Sequence, residues 1–165
     1  MQLTLIAGIF AIALYSTRSA LQLSRLASGG HVGLVAVNRQ PVFVAGGLAV
    51  VAHATSASGV IYTSTGYHFG IVEISTLIAA SISLLLLTSS LRKPLDNLFL
   101  GLFPLAVVAI ILSLTVSSDY PPTELNAGMA SHVLISILAY SFMTIAAVQA
   151  GFLAYQNYQL KNGHA

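Results

Sequence analysis

Five long apolar runs, separated by short polar segments, set the pattern of this chain, and they fall at residues 2–17, 41–61, 69–91, 95–116 and 127–158. Runs of this kind approach the roughly 20 residues a helix needs to cross a bilayer, so each is expected to be a transmembrane helix. The first is preceded by no Lys or Arg and followed by Arg18, Arg25 and Arg39, the reverse of a secretory signal, and reads as a retained anchor. Segment 17–40 holds half of the positive charge and a Gly-Gly pair, which makes it a loop with room for an interfacial helical piece. Pro41 suits the start of the second helix, where a missing N–H costs nothing. Arg92, Lys93 and Pro94 close the third on a second basic turn, and Pro104 is expected to kink the fourth. By the positive-inside rule the basic segments are cytoplasmic, and the segments 62–68 and 117–126, which have no Lys or Arg, are outside. The expectation is therefore one all-α domain over 1–165, a polytopic bundle of five transmembrane helices with its N-terminus outside and its C-terminus cytoplasmic. The odd count and the polar helical tail read as part of a longer protein.

Composition agrees and narrows the chemistry. Of 165 residues 56% are hydrophobic and 6% charged, with a mean hydropathy of +0.88. That is membrane composition. The six Lys and Arg are scattered and the formal charge is only +2, which gives nucleic-acid binding no support. There is no Cys, which removes disulfides and thiolate metal sites, and there is no Trp.

Ionisable side chains inside such helices are costly unless paired or ligated, so they mark candidate sites. His53, Glu73 and His132 are three, each within about 12 Å of the outer end of its helix at 1.5 Å per residue, with His68 in the loop just above Glu73. His53 lies on a stripe of small residues, Gly46, Ala49, Ser56 and Ala57, that suits close helix packing or a flat ligand. Glu73 shares a face with Thr76, Ala80 and Ser83, and its plain reading is a pairing with His68 or water. On the fifth helix His132, Ser136, Tyr140, Met143 and Ala147 fall on one face, taken as the inward one, with Leu134, Ile135, Leu138 and Phe142 toward lipid. The plain reading of His132 is a hydrogen bond to the Glu124 loop or a nearby carbonyl, and that of His53 an interhelical hydrogen bond. Zinc needs three or four ligands, and no HExxH, CxxC or equivalent spacing is present. A haem iron needs only one or two axial groups, commonly imidazole.

The segments VAHATSASGVIY, HFGIVEISTLIAASISLLLL and YPPTELNAGMASHVLISILAYSFMTIAAVQAGFLAYQNYQLKN resemble the cytochrome c assembly family, integral-membrane proteins related to the system II haem-handling subunit, with the YpjD-type inner-membrane branch nearest. The resemblance covers about residues 40–163. It implies handling of b-type haem near the outer face of the bacterial cytoplasmic membrane, on its way to apocytochrome c or other assembly proteins. His132 is similar to an axial ligand of haem iron, and His53 to the family's earlier membrane histidine; Ser136, Tyr140, Met143 and Glu73 would border the site. Family members of this type have eight helices, so residues 1–165 resemble an N-terminal part. The synthase branch's tryptophan-rich loop is absent, which makes the chain a haem-handling component rather than a complete synthase. The competing expectation is a haem-free accessory of the same fold that stabilises a partner complex.

Overall fold

The computed structural model describes residues 2–27, 39–91, 96–116 and 119–162. In chain order the elements are α1 (Gln2–Ala27), α2 (Arg39–Ile61), β1 (Tyr62–Thr63), β2 (Gly66–Tyr67), α3 (Ile71–Ser90), α4 (Asp96–Thr115) and α5 (Ala127–Lys161). All five helices are long and apolar enough to cross a membrane, and the chain is a multi-pass, all-α membrane protein. In lipid this is the form that leaves no backbone N–H or C=O unpaired.

Local chemistry sets the helix ends. Asn126 caps α5, its side-chain oxygen accepting from the Met129 N–H at 2.8 Å. At the other end of α5 the Asn162 amide donates to the Tyr158 carbonyl at 3.0 Å. Extended Gly70 precedes α3, whose first turn carries Glu73. Between α2 and α3 the chain turns through a two-residue antiparallel hairpin, Tyr62 opposite Tyr67 and Thr63 opposite Gly66. Gly66 has φ +134°, and a Cβ there would meet the Thr123 carbonyl oxygen at 3.0 Å, so only glycine fits. Tyr67 and Thr123 then exchange both backbone hydrogen bonds, at 3.0 and 2.9 Å, which ties this hairpin to the segment before α5. The start of α1 comes to the same end of the bundle, since Thr4 packs on Gly59.

The extent of the first helix changes. The first helix does not stop near residue 17 but continues to Ala27, so Arg18 and Arg25 are helical; residues 28–38 of the expected loop lie outside the described residues. The sequence RSALQLSRLA has no glycine or proline to stop it, and cations suit the end of a helix, where the dipole is negative. The Arg18 guanidinium sits over the Phe99 ring, 5.5 Å from its centroid. α4, a run with little polarity to orient it, is the centre of the core. Leu98, Phe99, Leu102, Phe103, Ala106 and Ile110 are buried along one face, and α4 packs against each of the other four helices.

Small residues let α1 and α2 lie close. A Cβ built on Gly8 would stand 2.9 Å from Ser56 Oγ and 2.7 Å from Leu114. Ala49, Ser56 and Ala57, the stripe read from the sequence, are all buried. That stripe serves helix packing. The fifth helix packs on α3 and α4 and is otherwise mostly exposed.

Candidate functional site: a buried histidine hub

His53 is wholly buried, 0% exposed, where α1, α2 and α3 meet. Its Nε2 shares a hydrogen bond with Thr76 Oγ1 on α3 at 3.1 Å, and its Nδ1 a longer one with the Tyr15 hydroxyl on α1 at 3.4 Å. A neutral imidazole has one donor and one acceptor nitrogen, and both partners are hydroxyls that can donate or accept, so either tautomer is satisfied. The ring therefore has no nitrogen left for a metal in this arrangement.

Tyr15 reaches this point because side chains on a helix lean toward its N-terminus. Its ring packs on Phe103, centroids 4.6 Å apart, and stands edge-on to His53 at 5.8 Å. Ser83 is close enough to interact with the same phenol. On α3 the face expected from the sequence is the buried one: Glu73, Thr76, Ala80 and Ser83 all lie in the interior. Glu73 is 6% exposed, yet its Oε2 has no hydrogen-bond partner, and the expected pairing with His68 is not made. Ser56, one turn beyond His53 on α2, has a buried hydroxyl that is likewise unpartnered.

On α5 the face expected to point to lipid is exposed, Leu134, Ile135, Leu138 and Phe142 among it, but the face expected to point inward is largely exposed as well. His132 is exposed, Tyr140 is 57% and Met143 66% exposed, and Ser136 is half-buried. The buried residues of α5 are Ile137 and Ser141, and the Ser141 hydroxyl lies 2.7 Å from the Ile137 carbonyl and 3.4 Å from that of Ile78 on α3. At about 100° per residue Ser141 stands half a turn around the helix from His132. The assumption that a histidine must point inward set the orientation wrongly. His132 makes no hydrogen bond among the described residues, either to the Glu124 loop or to a neighbouring carbonyl.

The two histidines thus have opposite characters. The structure joins His53 to Tyr15 and Thr76 and does not join it to His132, which stands open near the start of α5. Tyr15 went unnoticed in the sequence, although its spacing from Gly8 and Ala11, seven and four residues, is that of a packed helix face. Among the described residues no group of three His, Cys, Asp or Glu side chains could hold a metal ion. The chain matches no protein-family model, no curated protein and no solved structure.

Proposed function

We propose that this chain is a haem-handling integral-membrane protein of cytochrome c assembly in the bacterial cytoplasmic membrane, offering His132 to the iron of b-type haem near the outer face. The observation that carries this reading is the state of His132: an exposed imidazole without a hydrogen bond among the described residues, one to two turns inside a 35-residue apolar helix. An axial ligand needs a ring nitrogen free to face the iron, and His132 has one. His53 does not fit that role, since Tyr15 and Thr76 hold both its nitrogens. Exposed Met129, Ile135, Tyr140 and Met143 give the helix around His132 the apolar and aromatic surface that suits a porphyrin. Haem supplies its own redox and thioether-forming chemistry when bound; the chain's part is to hold and orient it. The resemblance to the cytochrome c assembly family supports the same reading.

The test is optical. Protein purified from membranes is expected to show a Soret band that weakens strongly in His132→Ala and persists in His53→Gln. A band unchanged in His132→Ala removes that residue, and no band in the unaltered protein sinks haem binding.

One observation favours a second reading, a haem-free accessory that stabilises a partner complex. The bundle interior beside His53 is filled by the protein's own side chains. On that reading His53→Ala lowers stability and partner recovery with no spectral change at all.

A further inference from the structure

The surface of α5 turned away from the bundle changes character along its length. Toward the start of the helix its exposed residues are large, Leu134, Ile135, Leu138 and Phe142, as suits lipid. From Ala146 to Ala154 five of nine residues are Ala or Gly, and a Cβ built on Gly151 would meet nothing within 4 Å. Ala146, Ala150, Leu153, Asn157 and Leu160 are all exposed, and they follow one another at steps of four, three, four and three residues. Those are the a and d positions of a heptad repeat, with Ala150 and Asn157 at a. Ser141, Val148 and Phe152, which hold α5 to the bundle, occupy the other side of the helix.

Two further observations show that lipid alone does not suit this face. Gly101 of α4 packs on Val148 and Phe152, where a Cβ would stand 3.0 and 3.2 Å from their side chains. Gln149 is therefore level with Gly101, inside the apolar span of α4 that begins at Leu98. Its amide is exposed beside the heptad seam and makes no side-chain hydrogen bond among the described residues. In hydrocarbon such a group is satisfied across a helix contact. The helix also outruns its neighbour. α4 starts at Asp96, so at 1.5 Å per residue along both helices α5 projects past that start from about residue 155. Asn157 and Leu160, the latter 67% exposed, lie on this projecting end. A short helical end standing alone in water is held by packing rather than by propensity.

We propose that α5 pairs with α5 of a second copy of this chain, as a parallel two-stranded coiled coil over Ala146–Leu160. Two copies inserted in one direction are parallel, which sets each seam residue against its own counterpart. Asn157 then meets Asn157, and a lone asparagine at an a position selects two strands in register. Ala146 and Ala150 let the axes approach within the membrane. The contact lies in the half of α5 remote from His132 and does not rest on haem binding.

The chain has no cysteine, so single cysteines read the contact directly in isolated membranes under a mild oxidant. Leu153→Cys and Leu160→Cys are expected to give a disulfide-linked product of twice the chain's mass. Tyr155→Cys and Tyr158→Cys, equally exposed but outside the seam, are expected to stay monomeric. Adding Ala146→Phe and Ala150→Phe to Leu160→Cys is expected to lower association by at least about tenfold. Both positions are exposed, so helical content by circular dichroism is expected to be kept. Equal cross-linking at Tyr155→Cys and Leu153→Cys overturns the proposal, as do folded Leu153→Cys and Leu160→Cys chains that stay monomeric. A product of any other mass would give the face to a different protein and overturns it as well.

Discussion

At the scale of single residues, His53 shows how a bundle keeps a polar ring in its interior. Each ring nitrogen has a hydroxyl partner from a different helix, so desolvation is met without a charge. The two bonds are not equal in geometry, and neither is expected to be worth much alone. Interhelical hydrogen bonds in membranes average about 0.6 kcal/mol, because the reference state in lipid also finds partners. Tyr15→Phe and Thr76→Val are each expected to cost about that amount. His53→Ala removes both bonds and the ring's packing on Tyr15, leaving a cavity, and is expected to cost about 2–3 kcal/mol. Unfolding of the three variants in detergent micelles checks the ranking; equal costs for His53→Ala and Tyr15→Phe would mean that the ring's volume contributes nothing. Half of this hub was legible in the sequence. His53 stood out as an ionisable group in an apolar run, whereas Tyr15 lay near the expected end of the first helix, where tyrosine usually marks an interface.

At the scale of elements, the same distinction recurs. Helix existence is legible because apolar length alone determines it in a membrane, and each of the five runs holds a helix, the first of them ten residues longer than its run. Helix orientation is not, because lipid and protein interior are both apolar, so hydrophobicity does not say which face turns inward. The α5 face shows the consequence: its members share a side by period, yet that side is largely exposed, and the buried Ser141 stands on the opposite one. Small residues are the better guide in lipid, as the α1–α2 contact shows. Gly8→Leu would drive a side chain into Leu114 and Ser56, and is expected to destabilise by about 1–3 kcal/mol through overpacking. Gly47, on the same helix pair, has nothing within 4 Å of a Cβ. Gly47→Ala is therefore expected to be neutral or to stabilise by about 0.5–1 kcal/mol, as alanine favours the helical backbone. Thermal scans of the two variants decide whether close approach, rather than glycine content, holds α1 to α2; a tolerated Gly8→Leu would argue against it.

At the scale of the whole molecule, the bundle has two unlike ends. One gathers the hairpin, its Tyr67–Thr123 pairing, the start of α1 and the start of α5 with His132. To the other belong, in sequence, all six Lys and Arg, and α5 continues toward it for 35 residues. At 1.5 Å per residue that helix is about 50 Å long, well over the roughly 30 Å hydrocarbon thickness, so its polar QNYQLK end extends past the membrane. The asymmetry of positive charge sets the expected direction: the basic end stays cytoplasmic and the hairpin end faces out. The absence of cysteine makes this directly testable, since any single cysteine introduced is the only thiol. Ser64→Cys, in the exposed hairpin turn, is expected to react with a membrane-impermeant maleimide in intact cells. Lys161→Cys is expected to react only after the membrane is permeabilised. The reverse pattern would put His132 on the cytoplasmic side, and a haem held there could not be presented to an apocytochrome outside, so this experiment bears on the proposed function as much as on the topology.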